Sequence, residues 1–230
     1  MKVLLLNGSR REKGCTYTAL SIVAEALGKH GIDTEIIHAL PTDDAVSEVA
    51  EKLKTADGVV FGSPVYWASP SGEMLYFLDR LAGKAGALLA HKAGACVTSA
   101  RRAGTTATLD VLNKYVAYHQ MVGVNANYWP MVHGSTPDDV RRDEEGVQIM
   151  RTLGENMAWV LQCLEAGKKA GIEPPAELGR AGFTPKLTED LGKALTELKL
   201  QLAMKGVTKF TYKVKKDGET ILITPKYKEK

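Results

Sequence analysis

Apolar and polar positions along this chain follow two rhythms, one of buried strands and one of amphipathic helices. Val3-Leu4-Leu5-Leu6 is an unbroken apolar run, as suits a parallel strand covered on both faces. A polar, glycine-bounded stretch follows, and then Leu20, Val23, Ala24 and Leu27 recur at helical spacing until Gly28 and Gly31 close the segment. Residues 33–38 predict a more polar strand of the kind found at a sheet edge, with His38 as a strand-end residue. A second helix is expected over residues 44–55. After it, Asp57 to Phe61 reads as a short buried strand ended by Gly62-Ser63-Pro64, with the loop beginning at Ser63. Met74, Leu75, Leu78 and Leu81 mark a third helix, and residues 92–99 a strand whose small side chains let helices approach both faces. Leu109, Leu112 and Val116 carry a fourth helix, and Val122 to Tyr128 a fifth strand. Asp138 is the expected N-cap of a long helix whose stripe of Met150, Leu153, Met157, Leu161 and Leu164 is core.

Beyond Gly171 the pattern changes. Pro174, Pro175, Gly179 and Gly182 make a linker-like passage, Leu187, Leu191, Leu195, Leu198 and Leu202 give a last amphipathic helix, and Lys216-Asp217-Gly218-Glu219 signals a hairpin. The expected organisation is a domain over 1–170, a linker over 171–185 and an extension over 186–230. A lone hairpin is marginal in water, so this one must pack on the last helix, the main domain or another subunit.

Composition narrows the picture. A chain of 230 residues with 44% hydrophobic and 25% charged residues is that of an ordinary globular protein, large enough for one α/β domain and an appendage. Its charge of +3 hides an asymmetry, because residues 199–230 hold nine Lys against three acidic residues and residues 1–198 carry −3. The tail lacks the Arg content and motifs of a nucleic-acid reader and is expected to be a solvated basic hairpin, so no nucleic-acid partner is predicted. No apolar run approaches the length of a membrane span, and Arg10 to Lys13 interrupt what would be a signal peptide, which predicts a cytoplasmic protein without a membrane partner. Cys15, Cys96 and Cys163 are odd in number and far apart, which fits a reducing compartment and neither a disulfide framework nor a metal site.

The chemistry concentrates in the first loop, which offers hydroxyls, amides and Arg11 beside the positive end of a helix dipole, a phosphate site. It has neither the G-x-G-x-x-G spacing of dinucleotide folds nor the Gly-Lys-Ser/Thr of a P-loop, which argues against NAD or ATP held there. A bare strand-to-helix turn is the alternative reading. Gly8-Ser9-Arg10-Arg11-Glu12-Lys13-Gly14-Cys15-Thr16 resembles the loop that cradles the FMN phosphate in the NADPH-dependent FMN reductase family, of the flavodoxin-like superfamily, with Cys15 where that family usually has Asn. A second stretch, Gly62-Ser63-Pro64-Val65-Tyr66-Trp67 through Phe77-Leu78-Asp79-Arg80, resembles that family's second signature. Together the resemblance covers about residues 1–165. Some members carry an iron–sulfur cluster on a tight group of four cysteines, which three scattered cysteines cannot supply.

The resemblance implies an α/β fold of the flavodoxin-like type: a doubly wound parallel five-stranded sheet of order 2-1-3-4-5, here with a C-terminal helix and hairpin added. It implies FMN as cofactor, NADPH or NADH as co-substrate, and a small electron acceptor such as a quinone or a flavin. Ser9, Arg11, Cys15, Thr16 and Tyr17 would meet the phosphate end, while Pro64, Val65, Tyr66 and Trp67 would shape the ring pocket. Ser99 and Arg101 are candidates from the loop after the fourth strand, and Arg102 could instead meet a nicotinamide phosphate. Tyr66 and Trp67 could equally pack against the core or a neighbouring subunit. The flavin does the chemistry, so no catalytic acid or base is assigned. Turnover is expected to be ping-pong, and the assembly a homodimer or homotetramer. Two rivals stand beside this reading: a flavodoxin-like electron-transfer module without turnover, and a phosphatase built on the C-x5-R spacing of Cys96 and Arg102.

Overall fold

The computed structural model describes residues 1–175, 185–207, 211–217 and 220–226. They fall into two compact units, Met1–Pro174 and Pro175–Lys230. The linker passage from 176 to 184 lies outside the described residues.

The first unit runs β1 (Lys2–Asn7), α1 (Cys15–Gly28), β2 (Asp33–His38), α2 (Asp43–Leu53), β3 (Gly58–Tyr66), β4 (Ser69–Pro70) and α3 (Gly72–Ala85). It continues with β5 (Ala93–Ala100), α4 (Thr105–Tyr118), β6 (Val122–Gly123), β7 (Met131–His133), α5 (Pro137–Arg142) and α6 (Glu144–Lys169). The sheet order is β2-β1-β3-β5-β6, with β7 also paired to β5 and β4 folded back onto β3. Every pairing is parallel except that of β3 with β4. Counted by position, this is the expected 2-1-3-4-5 order, with its fifth strand in two pieces.

That break is one departure from the sequence pattern. β6 pairs with Ala93 and Gly94, and β7 rejoins the same edge opposite Thr98 to Ala100. Between them Val124 still donates to Gly94 O at 2.8 Å, the chain then loops out, and Pro130, which has no N–H, re-enters by accepting from Thr98 N–H at 3.0 Å. The expected strand over 122–128 therefore ends early, and Tyr128 and Trp129 stand exposed, their rings edge to face at 4.7 Å. A second departure concerns β3, which does not end at Ser63 but continues to Tyr66 and turns back through Trp67 and Ala68, at φ of 54° and 55°. A third is at residue 138. The one helix expected from Asp138 is two: Thr136 caps the short α5, its hydroxyl accepting from Asp139 N–H while the Asp139 carboxylate accepts from Thr136 N–H, and Asp143, accepting from Gly146 N–H, caps the long striped α6. Finally, the α6 stripe is buried only as far as Leu161, and Leu164 is exposed.

Alternation along β1 explains the two-sided core. Val3 and Leu5 pack with α1 and α6, Leu4 and Leu6 with α2, α3 and α4, and all four are fully buried. Each such burial contributes about 1.5–3 kcal/mol. β2, more polar, lies at the edge as its composition requires. Among the described residues no helix is long and apolar enough to cross a membrane.

In the second unit, α7 (Pro185–Met204) precedes an antiparallel pair, β8 (Thr211–Asp217) and β9 (Thr220–Lys226), in register from Thr211↔Lys226 to Asp217↔Thr220. The hairpin read from Asp217-Gly218 is present, although residues 218 and 219 themselves lie outside the described set.

Helix α6 crosses α1 at Gly154, where a Cβ would sit 2.5 Å from Ala26 Cβ and 2.9 Å from Val23 O. Gly83 in α3 has nothing within 4 Å of the same position. Gly154→Ala should therefore lower stability to urea by about 1–3 kcal/mol, and Gly83→Ala should raise it by about 0.4–1 kcal/mol. Equal effects of the two substitutions would show that α1 and α6 do not meet as described.

Candidate functional site

The carboxyl ends of the parallel strands bring together the loop after β1, the hairpin after β3 and the loop after β5. The first loop is held by groups that do not belong to it. Asn7, almost fully buried at the end of β1, accepts from Ser9 N–H at 3.1 Å with Oδ1 and donates to Glu12 O at 2.8 Å with Nδ2. His38 Nε2 donates to Ser9 O at 2.7 Å, so the end of β2 is a strut for the loop. Gly8 N–H donates to Gly62 O at 2.8 Å, and Ser71 Oγ donates to Gly8 O at 2.6 Å. Ser71 in turn caps α3 through Met74 N–H, and its own N–H reaches Ser63 Oγ at 2.9 Å.

Within the loop, Ser9 Oγ accepts from Arg11 N–H at 3.1 Å, which leaves the hydroxyl proton for another acceptor. The buried hydroxyls of Thr16 and Ser99 lie 2.8 Å apart, so these two candidates from distant loops form one pair. Tyr17 is half-buried on α1. Pro64 and Val65 are half-buried in β3, and Tyr66 lies under the Arg10 guanidinium at 5.7 Å from its ring centre. Trp67 is fully exposed at the tip of the turn, away from these groups, and Arg101 is exposed in the loop after β5.

Helix ends supply the electrostatics. Among the described helices of the first unit, α2, α3, α5 and α6 are capped by Thr42, Ser71, Thr136 and Asp143, and each has acidic residues in its first turn. Helices α1 and α4 begin instead at Gly14 and Gly104, with no side-chain cap and no acidic residue in the first turn. In α1 the amide that finds the Gly14 carbonyl is that of Thr18, so the preceding amides are donors without a helical partner. An anion is favoured at such a terminus by the helix dipole and by these donors together.

The cysteines are quiet. Cys15 is half-buried, its Sγ 3.6 Å from Gly134 O, and burial pushes its thiol pKa up despite Arg11 nearby. Cys96 is enclosed in the core beneath α4 and burial pushes its thiol far above the ordinary range, while Arg102 is exposed on the following loop. A thiolate beside an arginine, as a phosphatase needs, does not exist there, and the C-x5-R spacing is accidental.

An open, parallel, doubly wound sheet with an anion-ready loop after its first strand and an aromatic hairpin after its third defines a flavodoxin-like nucleotide-binding protein. Residues 1–136, more than half of the chain, match the family of NADPH-dependent FMN reductases. The chain belongs to that family and is an FMN-dependent oxidoreductase. It is 28% identical over 193 residues to an iron–sulfur flavoprotein of Methanocaldococcus jannaschii, covering 72% of this chain and 100% of the relative. Among solved structures it is similar to a flavodoxin, WrbA-like protein from Agrobacterium tumefaciens, with TM-score 0.56 and 21% identity, covering 70% of this chain and 97% of that one. It is also similar to FerB of Paracoccus denitrificans, described as a flavoenzyme NAD(P)H:(acceptor) oxidoreductase, with TM-score 0.56, 14% identity and the same coverages. Unlike a cluster-binding protein, this chain has its three cysteines apart, on α1, β5 and α6, and no group of three metal-binding side chains occurs among the described residues.

The donor set fits FMN: uncapped amides at the start of α1, the Ser9 and Thr16 hydroxyls and the Arg11 guanidinium suit a terminal phosphate. The sequence reading missed Asn7, His38 and Ser71. An Asn directly before Gly-Ser is a turn signal and could have revealed the first; the other two come from distant strand and helix ends.

Burial orders the thiols. Cys163, exposed on α6, should react with an aromatic disulfide reagent within seconds at pH 8, Cys15 at least tenfold more slowly, and Cys96 only on unfolding. Rapid labelling of Cys96 in the folded chain would contradict this core.

Proposed function

We propose that this chain takes reducing equivalents from NADPH or NADH and passes them to a small acceptor, a quinone or a flavin, with FMN held at the carboxyl edge of the sheet. The observation that carries this is the uncapped start of α1, flanked by Ser9, Arg11, Cys15, Thr16 and Tyr17, beside a hairpin that presents Pro64, Val65 and Tyr66. Bound FMN supplies the redox chemistry. The chain's own residues bind and orient. Ser9 Oγ donates its remaining proton, the α1 amides and Arg11 complete the phosphate cradle, and Ser99 steadies Thr16 from behind. Tyr66 supplies a flat wall, and the exposed turn at Trp67 leaves the opposite side open to reactants. Arg101, exposed in the loop after β5, contacts the flavin beside Ser99, and its exposed neighbour Arg102 meets the phosphate of an arriving nicotinamide cofactor. Because the hairpin is short, one flat reactant occupies the open side at a time, and turnover is ping-pong. The description of FerB as an NAD(P)H:(acceptor) oxidoreductase supports this reading. The exposed Trp159 and Leu164 on α6 support an assembly of two or four chains, and the three separate, unpaired cysteines fit work in the reducing cytoplasm.

Replacing both Ser9 and Thr16 by Ala removes two hydrogen bonds to a charged group, each worth about 1.5–3 kcal/mol, so FMN affinity should fall at least tenfold. Steady-state rates at several fixed NADPH concentrations should give parallel double-reciprocal lines against the acceptor. Unchanged FMN affinity in the double variant would refute the cradle, and intersecting lines would refute the single shared site.

A further inference from the structure

The two arginines that follow Ser9 point to different tasks. Arg11 enters no ion pair among the described residues and lies close enough to Cys15 to act on its thiol. Arg10 turns the other way: its Nε lies 2.5 Å from Glu73 Oε1, and its guanidinium carbon lies 5.7 Å from the centre of the Tyr66 ring. These three residues come from the loop after β1, the first turn of α3 and the end of β3.

We propose that Arg10 is a positioning residue that ties the phosphate loop to the ring hairpin by holding Tyr66, and that it is not a ligand of the phosphate. This rests on the reading of the Ser9–Thr16 loop as phosphate cradle and of Tyr66 as ring wall. Two observations carry it. The Arg10 charge is already matched by Glu73, so swinging to a phosphate would strip that carboxylate of its ion-pair partner. The hairpin also needs an outside hold, since Tyr66 leads straight into two non-glycine residues at positive φ, a conformation that surrounding contacts must maintain. A planar guanidinium can lie over the ring and bond a carboxylate edge-on at once, which an ammonium cannot.

The test compares FMN with riboflavin, which has the same ring and no phosphate, by fluorescence titration of the full chain. Arg10→Ala should weaken both flavins by the same factor, roughly three- to tenfold, as expected of a partly exposed cation–π contact with an ion pair behind it. Arg11→Ala should weaken FMN and leave riboflavin unchanged. In a Tyr66→Ala background, Arg10→Ala should have no further effect on riboflavin. A flavin-free urea titration of the same cycle should show the Arg10–Tyr66 coupling as well. Loss of FMN affinity alone in Arg10→Ala would make Arg10 a phosphate ligand and overturn the proposal, as would no change in either flavin. Equal wild-type affinity for FMN and riboflavin would instead strike the phosphate cradle itself, and the proposal with it.

Discussion

The way the chain leaves β1 governs the rest of the site. Asn7 is the last residue of β1 and almost fully buried; its carbonyl is taken by Ala39 N–H at 2.9 Å, which leaves the side-chain amide to serve the loop. By accepting from Ser9 N–H and donating to Glu12 O it closes the loop on itself and satisfies two backbone groups that would otherwise be stranded near the core. His38 and Ser71 then fix the Ser9 and Gly8 carbonyls from the two neighbouring segments. These three side chains take the Glu12, Ser9 and Gly8 carbonyls, while the first α1 amides keep no helical partner and the Ser9 hydroxyl keeps its proton to donate. The polarity of the cradle follows from where the acceptors are spent.

Helix capping makes the same point by contrast. Four helices of the first unit spend a side chain and acidic charge on their N-termini, as a helix does when its end serves only structure. Two do not, and α1 is the one whose start is walled by hydroxyls from both β1 and β5 sides. Leaving its amides open costs stability in the unliganded chain, a cost that an anion reverses. Such a terminus is therefore coupled to ligand: whatever binds there also stabilises the fold.

Much of this was legible in the sequence where local chemistry decides. The Val3–Leu6 run, the glycine-bounded loop and the Asp217-Gly218 hairpin follow from periodicity and turn chemistry. The candidate loop was also legible, because Ser9, Arg11 and Thr16 lie in one stretch running from β1 into α1. What was not legible depends on contacts across the chain. Ser99 looked like a separate candidate until the sheet placed its hydroxyl 2.8 Å from that of Thr16. His38 looked like an ordinary strand end because its partner is 29 residues away. Trp67 and Tyr66 are indistinguishable as adjacent aromatics, yet Tyr66 ends β3 under Arg10 while Trp67 is the first residue of the turn and stands in solvent. The fifth strand is broken where the chain loops out after Val124 and rejoins the edge at Pro130, an arrangement that periodicity cannot resolve.

The central claim is that the open start of α1 receives the FMN phosphate. Amide chemical shifts test it most directly, since an N–H that bonds a phosphate dianion moves strongly downfield. In a two-dimensional ¹H–¹⁵N spectrum of the full chain titrated with FMN, the amides of Cys15, Thr16 and Tyr17 should move downfield, while those of Thr42 and Asp43 at the capped start of α2 stay in place. Saturable FMN binding that leaves the three α1 amides unmoved would contradict the account.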